Sequence, residues 1–151
     1  MRLGVGDCRS RAQDAEVAHL ATSGSDGQPH IVPVTFAFVG EQVVTAVDQK
    51  PKSTTSLRRL RNIGENAQVC VLWDHYDDDW SRLWWVRADG RAGVARLGSP
   101  SWREAVDALR AKYRQYVEDP PRGPAVVIDV ESWSGWAHGS PRTYPTANTE
   151  P

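Results

Sequence analysis

The sequence predicts a mainly β, α+β domain, a closed or partly split antiparallel β-barrel with helices inserted between its strands. Short β-branched and aromatic runs recur between turns rich in Gly, Asp and Pro, and two segments carry helical periodicity instead. No Gly-x-Gly-x-x-Gly follows a strand, so a doubly wound dinucleotide-binding sheet is unsupported. The 151 residues suit one domain, with no internal repeat.

Residues 7–16 form a short helix with Asp7 as N-cap, and residues 17–22 form a strand. Ser25-Asp26-Gly27 supplies the turn that reverses it. Residues 29–39 (PHIVPVTFAFV) read as one strand, Gly40-Glu41 as a turn, and 42–47 as the strand closing that hairpin. Pro33 has no N–H to give a ladder, which places it on an edge or at a bulge. In the next segment Leu57, Leu60 and Ile63 recur at helical spacing, with Ser53 or Thr54 as cap and Gly64 as terminator. Residues 67–73 form a strand and 74–79 an acidic loop; Asp89-Gly90 either turns or bulges the run 83–97, and the bulge is favoured because one long curved strand suits a barrel. The clearest helix covers 101–117. Ser101 and Glu104 make its capping box, and Trp102, Ala105, Val106, Leu109, Tyr113 and Tyr116 trace its apolar face. Residues 125–130 begin a last strand that runs into SWSGW at 132–136, and a loose tail follows from 138.

Eighteen basic and nineteen acidic side chains leave a net charge of -1, so no global field draws the chain to nucleic acid or to anionic lipid. No apolar run approaches the ~18 residues of a membrane span, and residues 1–10 lack the apolar stretch of a signal peptide. Cys8 and Cys70 stand far apart, as free thiols do in a reducing cytoplasm. Seven tryptophans are unusual at this length, and the type serves cores, interfaces and flat aromatic ligands alike.

The stretch most informative about chemistry is 45–61. Lys50, Lys52, Arg58, Arg59 and Arg61 occur with no acid between them, and Lys52, Ser53 and Thr54 stand where a helix begins. Backbone N–H groups, the positive helix end, hydroxyls and ammonium groups converge there, which suits a phosphate. The same residues also read as a solvated basic face with an ordinary cap. The strands at 31–38 and 42–47 can floor a flat ring attached to that phosphate, or simply be core. Residues 74–79 (DHYDDD) gather carboxylates and an imidazole, but the spacing matches no calcium loop, and a solvated acidic loop is the default. His19, His30 and His138 stand alone as structural histidines, and no nucleophile–base pattern is legible.

VAHLAT (17–22), DGQPHIVPVTFAF (26–38), VVTAVDQKPKSTTSLRRLRNI (43–63), ADGRA (88–92) and SWSGW (132–136), in this order, resemble the flavin/deazaflavin-dependent oxidoreductases related to pyridoxamine 5′-phosphate oxidase. The branch that uses the deazaflavin coenzyme F420 is the most similar. The resemblance covers 15–137, while residues 1–14 fit it poorly and 138–151 form the tail. It implies an FMN-binding type of split barrel that pairs as a homodimer, with the cofactor in a groove between subunits. It also implies that Pro33, Val34, Thr35 and Phe36 line the ring, with Thr45, Ala46 and Val47 on the adjacent strand. Lys50, Lys52 and Ser53, assisted by Arg58, would hold the phosphate, and Trp136, Trp80 and Arg82 would come from the partner subunit. Two departures stand out: Lys52 precedes Leu57 by five residues rather than four, and Ser56 replaces the family's usual Asn. No signature of the oxidase's pyridoxamine phosphate pocket is present, so that substrate is not inherited with the fold.

The reading that follows is an F420-dependent reductase passing a hydride to an unsaturated small molecule. F420 carries a phosphodiester and an acidic lactyl–glutamate tail, which the cation run favours over FMN with its single phosphate. The alternatives are an FMN-dependent oxidase-like enzyme and a non-catalytic carrier of F420 or haem.

Overall fold

The computed structural model describes residues 1–47 and 54–139, with only the backbone for 54–57. In chain order the elements are α1 (Val5–Asp14), β1 (Ala18–Ser23), β2 (Pro29–Val34), β3 (Ala37–Val39), β4 (Gln42–Ala46) and α2 (Thr54–Glu65). Then come β5 (Gln68–His75), a single 3-10 turn (Trp80–Arg82), β6 (Trp84–Ala95), α3 (Pro100–Lys112), α4 (Arg114–Glu118) and β7 (Ala125–Ala137).

All strand pairs are antiparallel, in the order β2-β1-β5-β6-β7-β4-β3. The two edges of this sheet, β2 and β3, are consecutive in the chain and separated only by Thr35 and Phe36. Three peptide steps from Val34 to Ala37 span at most ~11 Å. Seven strands laid flat would hold their edges ~29 Å apart. The sheet must therefore curl until its edges nearly meet, which makes it the expected split barrel with its seam at Thr35–Phe36.

Several local expectations are corrected. Residues 29–39 are two strands rather than one, because the chain passes from one edge of the sheet to the other. Pro33 lies on edge strand β2, where its missing N–H costs no ladder bond. The first helix starts at Val5 with Gly4 as N-cap, so Asp7 lies within its first turn. α2 passes through Gly64 to Glu65. The capping box on Ser101 is not formed. Ser99 is the N-cap, accepting from the Trp102 N–H at 3.2 Å, with Pro100 at the first helical position where no N–H is needed. The helix expected over 101–117 breaks at Tyr113 (φ -111°, ψ 119°) into α3 and α4. The expected caps Ser53 and Thr54 and the tail from 140 lie outside the described residues and side chains.

The long bulged strand is present. β6 shifts register between Asp89 and Gly90, where a Cβ on Gly90 would run into the Asp129 carbonyl. Inside the barrel, Trp73 is fully buried against Phe36 (5.4 Å between centroids, edge-on) and Trp133 (5.6 Å, stacked), with Leu20, Val71, Val86 and Ile128 around them. A second cluster packs Ala105 and Leu109 of α3 against Val44, Ala46 and Ala125.

The N-terminal segment completes the other end. The Met1 N-terminus donates to the Ala137 carbonyl at 2.7 Å, and the Leu3 N–H donates to Gly135 at 2.9 Å. α1 then lies so close to β7 that a Cβ on Gly135 would meet Cys8 Sγ at 2.7 Å and Leu3 Cδ1 at 3.2 Å. Gly135→Ala is expected to cost ~1–3 kcal/mol by overpacking. A denaturant midpoint should fall accordingly, and the fully buried Cys8 thiol should become reactive toward a disulfide reagent.

Candidate functional site

The seam leaves backbone groups that no ladder satisfies, and the side chains of Thr45 and Tyr113 take them up. Thr45 Oγ1 of β4 donates to the Thr35 carbonyl at 2.7 Å. The Phe36 N–H donates to Tyr113 Oη at 3.2 Å, and Tyr113 Oη donates to the Glu16 carbonyl at 2.8 Å. Thr35 Oγ1 and Tyr116 Oη share a hydrogen bond of 2.7 Å. The break at Tyr113 is what allows both tyrosines at the helix junction to reach the seam.

These contacts border a cleft of about 260 Å³ lined by Val17, Pro33, Val34, Thr35, Thr45, Ala46, Arg59 and Tyr116. The structure thus brings together five of the residues expected to contact a ring: Pro33, Val34, Thr35, Thr45 and Ala46. The volume falls just under the ~300–1,000 Å³ usual for small-molecule sites.

Phe36 does not line the cleft. Its ring is fully buried in the barrel against Phe38 and Trp73, and its N–H is taken by Tyr113, so the expected ring contact is corrected to a core role. Val47 follows β4 and pairs back with the Pro124 carbonyl at 2.9 Å, outside the cleft lining. Lys50, Lys52 and Ser53 lie outside the described residues.

Arg59, not Arg58, enters the cleft. Arg59 shares the inward face of α2 with Asn62 and Ile63, three and four residues on, both buried. Asn62 Nδ2 donates to Thr22 Oγ1 at 3.1 Å, which fixes the rotation of the helix. Burial lowers the Arg59 pKa, and its Nε finds no hydrogen-bond partner among the described residues. A partly desolvated guanidinium with an idle donor is suited to an anion. Tyr116 and Arg59 were the residues sequence reasoning missed. The phase set by Ile63 carried the signal for Arg59, whereas Tyr116 was hidden inside an apparent apolar stripe.

Trp80, Arg82 and Trp136 do not approach this cleft within the chain. Trp80 is 66% exposed, Arg82 forks between Asp77 and Asp79 at 3.8 Å each, and Trp136 sits on the outer sheet face opposite Trp85. Asp77 and Asp79 of the 74–79 segment serve local turns. Asp79 caps the 3-10 turn through the Ser81 N–H and hydroxyl, which lowers its pKa, and Asp77 accepts from the Asp79 N–H at 2.8 Å. Among the described residues no three His, Cys, Asp or Glu side chains converge on a metal position, and no helix is long and apolar enough to cross a membrane.

Behind the seam, Lys112 Nζ lies 3.4 Å from the Phe36 ring centroid and donates to the Ala15 carbonyl at 2.7 Å. Burial pulls its pKa down to about 8, against the raising influence of Glu16 and Asp14. Below pH 8 both folded and unfolded chains carry this proton, and the burial cost is fully felt. Between about 8 and 10.5 the unfolded chain holds more of it, so stability contributed by this group rises with pH. Urea midpoints of the wild type and Lys112→Met, measured at neutral pH and near pH 10, should show the wild type gaining relative to the variant at the higher pH.

The family model for pyridoxamine 5′-phosphate oxidase matches residues 6–137. No curated protein matches the chain. Solved structures share the fold at low identity. A conserved hypothetical protein of Mycobacterium tuberculosis is 18% identical with a TM-score of 0.71, covering 98% of this chain and 95% of that one. A FAD-binding protein of Mesorhizobium loti is 19% identical with a TM-score of 0.67, covering 89% and 95%. HutZ, the haem storage protein of Vibrio cholerae, is 16% identical with a TM-score of 0.68, covering 92% and 96%.

Proposed function

Because the chain belongs to the pyridoxamine 5′-phosphate oxidase family, we propose that it is a homodimeric oxidoreductase that holds a tricyclic redox cofactor at the seam of its split barrel, with F420 preferred over FMN. The observation that carries this reading is the cleft itself. Arg59, Thr35, Thr45 and Tyr116 place a cation and hydroxyls beside the apolar surface of Pro33, Val34 and Ala46. Such a set suits a flat heteroaromatic ring joined to an anionic chain.

Pro33, Val34 and Ala46 would meet the ring, and the Thr35 and Thr45 hydroxyls would hold its polar rim. Arg59, with Lys50, Lys52 and Ser53, which precede α2 in the sequence, would take the phosphate and the acidic tail. When bound, the cofactor supplies hydride transfer to an unsaturated small molecule. The protein's part is to orient the two and exclude water. A dedicated acid or base is not required of such a site.

A second copy of the chain is needed to close the cleft, and the outer sheet face supports that arrangement. Ile31 and Pro33 of β2 stand exposed on it, next to Ala21 and His19 of β1, which pair in turn with Cys70 and Leu72 of β5. Trp85 and Trp136 lie farther along the same face. In a twofold pair the same patch meets itself, so residues remote within one chain become neighbours between two. Trp136, Trp80 and Arg82 of one subunit would then border the cleft of the other.

Spectroscopic titration of the purified chain with F420 and with FMN tests the assignment. Arg59→Gln and Lys52→Ala should each weaken cofactor binding by about 1.5–3 kcal/mol, the worth of a hydrogen bond to a charged group. Binding of neither cofactor, or a sedimentation profile showing monomer at working concentration, would overturn the reading. Tight binding with no turnover against any unsaturated acceptor would indicate a carrier instead.

A further inference from the structure

A second cavity lies on the other side of Val17 from the cleft. It measures about 580 Å³ and is bordered by the end of α1, the end of β5, the 3-10 turn and the last residues of β7. Its most unusual feature is Arg11. The residue belongs to the last turn of α1 and is only 6% exposed, yet it lines this cavity. Its guanidinium lies 5.4 Å from the Trp84 ring, and its Nε finds no hydrogen-bond acceptor among the described residues. Burying a guanidinium with a donor left idle is costly, and a cation–π contact offsets only part of that cost. An anion within the cavity would remove the imbalance.

The rest of the lining restricts which anion. Trp84 and Leu83 give an apolar wall beside the guanidinium. Asp14, Glu16 and Asp74 border the same space and oppose any ligand of high negative charge. We propose that this cavity binds a small organic monocarboxylate with a flat apolar body, Arg11 supplying the counter-charge and Trp84 the face on which the body packs. The planar fork of arginine matches a carboxylate in geometry as well as sign. Within one chain the cavity shares only Val17 with the cleft, while Arg82, which also lines it, is the residue assigned above to the partner's cleft, so the titration is run with and without cofactor.

Calorimetric titration of the full chain with benzoate, benzamide and inorganic phosphate tests it, with and without saturating FMN. Benzoate should bind saturably, and benzamide about tenfold or more weaker, since it keeps the ring and loses the charge. Phosphate at equal concentration should not compete. Arg11→Gln should weaken benzoate by about tenfold or more while leaving any FMN affinity unchanged. Equal binding of acid and amide, competition by phosphate, or no saturation into the millimolar range would overturn the proposal. The comparison of acid with amide uses the wild type alone, so it holds even if Arg11→Gln does not fold. Trp84→Leu should lower benzoate affinity without restoring benzamide.

Discussion

Everything in this molecule depends on a short tether. Two residues, Thr35 and Phe36, join the opposite edges of a seven-stranded sheet, and covalent geometry leaves the sheet no choice but to curl. β2 and β3 do not pair with each other, so the barrel stays split at that point. The Thr35 carbonyl and the Phe36 N–H are met instead by Thr45 and Tyr113, while Tyr116 bonds the Thr35 hydroxyl. A cleft bordered by hydroxyls and backbone is therefore a by-product of topology, and the helices decide what it can hold.

Two helices give the cleft its chemistry. α2 is rotated by Asn62 and Ile63 so that Arg59 points inward, where burial lowers its pKa and its Nε finds no partner among the described residues. The α3–α4 junction bends at Tyr113 and presents both tyrosines to the seam, while Lys112 spans from the Phe36 ring to the α1–β1 connection. The cost of partly desolvating that ammonium is carried by a region whose rigidity a binding site needs.

The tryptophans divide by the two-residue alternation of the strands. Trp73 and Trp133 face inward and stack within the barrel, whereas Trp85 and Trp136 pair on the outer face. Their number in the sequence is thus not one signal but several. A core, an outer patch and the wall of the Arg11 cavity each use the same residue type because each needs a broad apolar face.

Much was legible in the sequence, because alternation, turn residues and helical spacing are local. Most of the strands, the bulge at Asp89-Gly90 and an edge or bulge at Pro33 follow from such rules, and the motifs around PVTF and TAV contain five of the residues that line the cleft. What the sequence could not determine was set by phase and by long-range proximity. The division of 29–39 into two edge strands depends on sheet order, which no local pattern encodes. Ser99 displaced Ser101 as cap because Pro100 suits the first helical position. Phe36 turned into the core, Arg59 rather than Arg58 entered the cleft, and Tyr116 left an apparent apolar stripe to bond Thr35. Each was decided by the angle at which one element meets another, and only the packed barrel sets that angle.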